Sequence, residues 1–352
     1  MYVLLGIIIL IFGLRLNLSR FRKDSRSRDH YEKWSCYFVF AILIFLSAFR
    51  GENVGADTLD YIDDYQQIKF LTFQDIYNLY ENYWGFYFAT KVISMLGIPL
   101  WGWFGLISLL YISSIGRFIF RYSSDKLYSV LLFLALDLFL FSVAGLKQTV
   151  AMAMLLHAVL FFTDKKYIPS VIFILLAFFS HPTSLLFLVA FILYPLKEKK
   201  IFPYVLAGLC LLIVMGSINF LTLIITLLDN EHFEMYLEED NSYSAYTLIL
   251  YILIVLCCIV FSRKHKNKNR LGRFELGMVI ISCALQYLAL LSPSLFRLSY
   301  FFTPFLLSFV PNSFKWQENS WIRILGKYCI LAGTLVFLLY SRRNFEFTLM
   351  TF

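Results

Sequence analysis

WSCYFVFAILIFLSAFRGENVGADTLDYIDDY, residues 34–65, changes character at one point. The first sixteen residues carry no charge; an arginine, two glycines four apart and four aspartates come directly after them. An uncharged run of this kind predicts most of a helix that crosses a bilayer, which takes about 20 residues. The segment from Arg50 onward must then be polar chain leaving the hydrocarbon. Gly51 and Gly55 permit backbone conformations that a side chain would block. A helix starting near Asp57 would align Asp57, Asp60, Tyr61 and Asp64 along one side, with Thr58 and Tyr65 beside them. A plainer reading makes Asp57 an N-cap, with Asp60 completing a capping-box-like start. Capping leaves Arg50 and the remaining acids without a role.

The rest of the chain repeats that apolar character. Its 352 residues are 60% hydrophobic, 19% aromatic and 15% charged, with a mean hydropathy of +0.71. A soluble globule needs more polar surface, whereas helices in a bilayer satisfy their own backbone groups. The expected fold is all-α and polytopic, one integral membrane domain over residues 1–352, with about 12 transmembrane helices plus a short re-entrant or tilted helix. MYVLLGIIILIFGLRL (1–16) lacks a basic leader and a small-residue cleavage site and reads as a first span. Cys36, Cys210, Cys257, Cys258, Cys283 and Cys329 lie in or beside apolar runs without C-x-x-C spacing, which favours packing over a disulfide or metal framework.

The formal charge of +8 is segregated by loop and is no nucleic-acid signal. RFRKDSRSRDHYEK (20–33, six basic residues), DKK (164–166), KEKK (197–200) and SRKHKNKNRLGR (262–273) read as cytoplasmic loops. Residues 50–83, with seven acidic and two basic residues, and 229–246, with six acidic and none basic, then read as extracytoplasmic loops. For RYSSDK (121–126) to be cytoplasmic, residues 84–119 must cross an odd number of times, so WGFYFATKVISMLG (84–97) is assigned to the re-entrant or tilted helix. YIPSVIFILLAFFSHPTSLLFLVAFILYPL (167–196) has lysines at both ends and predicts a hairpin whose turn carries His181 and Ser184, with Pro182 opening the second arm.

Under that topology the opening stretch, GLKQT (145–149), SHPTS (180–184) and SPSLFR (292–297) share one level. Charges there call for a cavity or a partner. Arg50, Lys147 and Arg297 suit anionic phosphate oxygens, guanidinium as a planar fork and ammonium as a compact charge; each alone also fits a residue anchoring its helix at the interface. His157, in AMAMLLHAVLFF, reads as a packed or hydrogen-bonded core residue, and His30, His232 and His265 as residues of charged loops. Asp137 is costly within LALDLFLFS and calls for a pairing helix that the sequence does not identify. Asp57, Asp60, Asp63 and Asp64 offer hard-cation ligands in a spacing that matches no dedicated loop, so no metal is expected.

The ordered pattern Arg50-x-x-x-Val54-Gly55-x-Asp57-Thr58-x-x-Tyr61, Glu81-x-x-x-Gly85, Lys147-Gln148-x-x-Ala151, Ser180-His181-x-x-Ser184 and Arg297-Leu298-Ser299-Tyr300 resembles the EpsG-like and Wzy-type polysaccharide polymerases of bacterial inner membranes, over about residues 34–310. The resemblance implies a GT-C-like, metal-independent glycosyltransferase without cofactor. Its substrate would be an undecaprenyl-pyrophosphate-linked oligosaccharide, and its active site would face the periplasm. Membrane lipids are the other implied partner, and a chain-length regulator is left open. Arg50, Lys147, Gln148, Arg297, Thr58, Tyr61, Ser184 and Tyr300 fall to substrate or pyrophosphate binding. His181, Asp57 and Glu81 are the candidates for the catalytic base. Lys147 departs from the arginine usual in the family, keeping the charge but losing a bidentate clamp. Tyr61, Tyr65, Trp84 and Tyr87 suit sugar stacking or an interfacial aromatic belt. An O-antigen ligase and a lipid-linked saccharide transporter or flippase are the alternative functions.

Overall fold

The structure, a computed structural model, describes residues 25–216, 242–262, 272–315, 317–342 and 347–350. The expected first span (1–16), residues 229–241 of the acidic loop and most of the 262–273 basic loop lie outside the described residues. Among those described, every regular element is helical. Four helices are long and apolar enough to cross a membrane, or five when one bent pair counts as a single span. The chain is an all-helical membrane protein that divides into two compact units.

The first unit takes residues up to 121, then 125–181 and 338 onward. Its helices are α1 Ser25–Ala48, α2 Thr58–Gln67, α3 Phe73–Leu79, α4 Trp84–Met95, α5 Leu100–Tyr122, α6 Lys126–Ala135, α7 Leu138–Ala144, α8 Leu146–Thr163 and α9 Tyr167–Ser180. α1 and α5 run antiparallel: Phe49 stacks on Trp101 at one end (5.3 Å between centroids), and Tyr37 meets Phe120 edge-on toward the other (5.2 Å). Lys126, just past α5, pairs with Asp29 at 2.7 Å. α8 starts back at the Trp101 end and returns, so that Asp164 at its close is forked by Arg121, Nη1 to Oδ2 2.6 Å. α9 packs along α8 through Phe173, which meets both His157 and Phe161, and Ser170 donates to the Ala158 carbonyl at 3.0 Å. Residues 29–33, 121–126 and 164–166 therefore share one end of the unit. Residues 50–57, 83–85, 145–147 and 181 share the other.

α4 has 12 residues, about 18 Å of helix, too short for a hydrocarbon core of about 30 Å. The single long helix between residue 84 and residue 122 is α5. α6 and α7 are bent by 53° at Asp137, which sits in the left-handed region at φ 64° and pairs with Arg342 (Nη2 to Oδ2 2.5 Å). His157 bonds Ser114 at 2.9 Å, as a packed core imidazole should.

The described parts of the expected loops hold helix. Within the 20–33 stretch α1 begins at Ser25 and carries His30, whose Nε2 accepts from Trp34 Nε1 at 2.8 Å. The 50–83 stretch holds two helices, α2 and α3. Asp57 precedes α2 without closing it by a side-chain capping bond; the capping box forms at α3 instead, between Thr72 and Asp75.

The second unit takes residues 122–124 and 182–337. After a 3-10 turn at Pro182–Phe187 come α10 Leu188–Leu193, a 3-10 turn Tyr194–Leu196, α11 Phe202–Met215, α12 Ser242–Ser262 and α13 Arg273–Leu288. A 3-10 turn Pro293–Leu295 leads to α14 Phe296–Ser299, another at Thr303–Phe305 to α15 Leu306–Phe314, and then α16 Ser320–Ser341, whose end belongs to the first unit. Phe187, Phe274, Phe302 and Phe305 form its aromatic centre. Asn312 receives the Ser124 N–H (3.0 Å) and donates both to the Tyr122 carbonyl (2.9 Å) and to Glu275 (3.2 Å). The expected second arm of the 167–196 hairpin is a continuous apolar helical stretch, Pro182–Leu196, opened by Pro182 and passing from 3-10 to α and back to 3-10 geometry.

Candidate functional site

Residues 50–57 form a turn-rich link between α1 and α2. Val54 N–H bonds the Gly51 carbonyl (3.1 Å), Thr58 N–H the Gly55 carbonyl (3.2 Å), and the Thr58 hydroxyl the Val54 carbonyl (2.5 Å). Gly55 has φ +98°, and a Cβ there would come within 3.0 Å of Ala144 Cα. That close approach sets the link against the α7–α8 junction and so beside Lys147. A second close approach lies at Gly85, where a Cβ would sit 2.6 Å from Phe179 Cβ. It lets α4 press on the end of α9 and brings Tyr83 to His181, their rings edge-on at 5.5 Å.

Arg50 is wholly buried. Its Nη1 donates to the Ser47 carbonyl at 3.1 Å, and its guanidinium carbon lies 3.6 Å from the centre of the Phe104 ring. Nε and Nη2 make no hydrogen bond among the described residues. Leaving a buried donor unmet costs about 1–3 kcal/mol, more when it is charged. Burial pulls the guanidinium down to about 9, still cationic at neutral pH. The backbone around it is clamped by residues 347–350: Gly51 N–H donates to the Thr348 carbonyl (2.7 Å), Met350 N–H to the Phe49 carbonyl (2.9 Å), and Arg50 and Leu349 form an antiparallel bridge.

Lys147 occupies the first turn of α8, where backbone N–H groups and the helix dipole also favour an anion. Its Nζ lies 4.3 Å from the centre of the Tyr83 ring, 5.6 Å from Tyr87 and 5.7 Å from Tyr61. Tyr61 accepts from the Lys147 backbone N–H (3.5 Å). Gln148 is buried beside Lys147.

The first unit thus brings Arg50, Lys147, Gln148, Thr58, Tyr61 and His181 to one end. Asp57 is half-buried at the start of α2; Glu81 is exposed in the turn between α3 and α4. Arg297, Tyr300 and Ser184 belong to the second unit, with Arg297 half-buried and Tyr300 and Ser184 buried. Near them Ser299 donates to Gln286 Oε1 at 3.0 Å.

Tyr61, Tyr65 and Tyr87 are buried within the first unit. Tyr65 stacks on Trp103 at 4.8 Å and donates to the Ile98 carbonyl. Of the four aspartates, Asp60 and Asp63 are exposed, and Asp64 accepts from two phenols, Tyr80 (2.8 Å) and Tyr87 (2.5 Å). Among the described residues no group of three His, Cys, Asp or Glu side chains is placed to hold a metal ion. Tyr80, Tyr83 and the 347–350 segment escaped the sequence reading. The 80/83/87 spacing of tyrosines, which repeats on one side of a helical turn, was the available signal for the first two.

A family model described as the EpsG family matches residues 33–351. No curated protein and no solved structure matches the chain.

Proposed function

Because the chain belongs to the EpsG family, a family of Wzy-like polysaccharide polymerases, we propose that it transfers a growing glycan from undecaprenyl pyrophosphate to an incoming lipid-linked repeat unit. In this reading the reaction is metal-independent, the complete fold is GT-C-like with about 12 spans, and the site opens to the periplasmic side of a bacterial inner membrane.

One observation carries the chemistry. Arg50 is a buried cation with two nitrogens that make no hydrogen bond among the described residues, at the same end of its unit as Lys147 on a helix N-terminus. In the reaction an acceptor hydroxyl attacks the anomeric carbon of the donor sugar. The bond from that carbon to the pyrophosphate oxygen breaks, and the departing diphosphate gains negative charge. Fixed cations in a site of lowered dielectric stabilise that charge as it develops. The hydroxyl proton goes to a base, for which His181 stands first because its ring shares Tyr83 with Lys147; Asp57 and Glu81 rank behind it. Arg297, Tyr300 and Ser184 are assigned to substrate binding from the sequence resemblance.

Purified protein incubated with lipid-linked repeat units tests this directly. Longer glycans are expected, and Arg50→Ala and Arg297→Ala should each abolish them while the protein still inserts. Transfer to lipid A core without lengthening would make the protein a ligase; relocation of the lipid without new bonds would make it a transporter.

A further inference from the structure

Asp64 has no part in the reaction as just described, yet it is the point where three helices meet. It lies on α2, one turn after Tyr61, so both project from the same side of that helix. Its Oδ1 accepts from the Tyr80 hydroxyl at 2.8 Å and its Oδ2 from the Tyr87 hydroxyl at 2.5 Å. Tyr80 closes α3, bonding through its N–H to the Ile76 carbonyl, and Tyr87 lies in the first turn of α4. The two rings stack with centroids 3.6 Å apart and planes 19° apart.

Tyr87 and Tyr61 are also two sides of the cage around Lys147 Nζ; Tyr83 is the third. Tyr83 is tied to both phenols by the turn itself, its N–H to the Tyr80 carbonyl (2.8 Å) and its carbonyl to the Tyr87 N–H (3.2 Å). Each of these three rings is thus located from one carboxylate: Tyr61 through α2, Tyr87 by a direct bond, Tyr83 through the turn. Burial and then the Asp64 charge hold the Tyr87 phenol up, so it remains a donor.

We propose that Asp64 is a positioning residue for Lys147: its carboxylate, accepting from two phenols at once, fixes the tyrosine cage that sets where the ammonium meets the diphosphate. An ionised carboxylate suits this task because both oxygens only accept, whereas the Asn amide turns a donor toward one of the phenols. The proposal rests on the polymerase reading and on the cationic role of Lys147 within it.

The test is steady-state extension of lipid-linked repeat units by the purified full chain, comparing Asp64→Asn, Tyr87→Phe and Lys147→Met with the two double variants. Tyr87→Phe keeps the ring and removes only the oxygen, so it reports on the bond if Asp64→Asn folds poorly. A hydrogen bond to a charged group is worth enough that each of the two substitutions should lower kcat about tenfold, with KM held within about twofold. In the Lys147→Met background neither should lower kcat further, because their effect runs through the missing ammonium. Asp63→Asn, one position away and exposed, should extend at the wild-type rate. Wild-type kcat in Tyr87→Phe, or losses that multiply in full with that of Lys147→Met, would overturn the positioning role while leaving the polymerase reading intact. Normal extension by Lys147→Met would reject the lysine's role and this proposal together, and no extension by the wild-type chain would reject the function itself.

Discussion

Gly85→Ala adds one methyl where α4 meets the end of α9. The new Cβ would stand 2.6 Å from Phe179 Cβ and 2.8 Å from the Phe179 carbonyl oxygen. Ordinary carbon contacts need about 3.5–4.0 Å, so α4 must withdraw by about 1 Å. A carbonyl cannot swing aside as the tip of a flexible side chain can. Overpacking of this kind costs about 1–3 kcal/mol, and the better helix propensity of alanine returns up to about 1 kcal/mol, so the net loss of stability is modest. The loss of activity should be larger, because α4 carries the ring of Tyr87 and adjoins that of Tyr83, and a displacement of about 1 Å in a reacting assembly can cost about a hundredfold in rate. The assay is the initial rate of glycan extension beside the thermal midpoint in the same detergent. Gly208→Ala serves as the control, since a Cβ there meets nothing within 4 Å. Gly85→Ala extending glycan at the wild-type rate would show that the α4–α9 approach does not set the site.

Three further outcomes are expected. Gly51→Ala drives a Cβ into Thr348 Oγ1, so it should shorten the glycans made in cells, and Thr348→Gly in the same chain should restore much of the length; equal defects in the single and double variants would argue against the clamp. Asp137→Asn keeps a residue that tolerates φ 64° but removes the charge facing Arg342; a destabilisation of about 1–3 kcal/mol is expected, read as a lower thermal midpoint. His181→Ala should lower kcat and remove the acid limb of its pH profile, the limb a neutral imidazole base produces; an unchanged profile would move the base to Asp57 or Glu81.

Charge marked the helix ends well enough to be read from the sequence. Arg121 with Lys126 and Asp164 with its lysines terminate helices at one end of the first unit, and the polar groups at 50–57, 145–147 and 181 meet at the other. His157 was legible for a related reason: one polar residue in an apolar run needs a single partner, and Ser114 on α5 supplies it. Pairings across long separations were not legible. Asp137 signalled that it needed a partner on another helix, but nothing local points to Arg342, 205 residues away. Asp57 has the composition of a capping box, yet the link before α2 is shaped by Gly55 against Ala144, and the box does not close. The tyrosines of α2 and α4 have the composition of an interfacial belt. Only their tertiary placement shows them buried around a carboxylate and an ammonium.

The bond between Asp137 and Arg342 also has a consequence in time. At ribosomal speeds of about 5–20 residues per second, the arginine emerges about 10–40 seconds after the aspartate. For that interval the left-handed kink has been made while the cation that faces it in the finished protein has not, and the strip at 347–350 that staples down Arg50 comes later still. Residues 182–337 of the second unit are translated inside this delay. Maturation of the first unit therefore finishes after synthesis of the second, and a nascent chain stalled before residue 342 should expose the kink to insertases and membrane proteases that the completed protein resists.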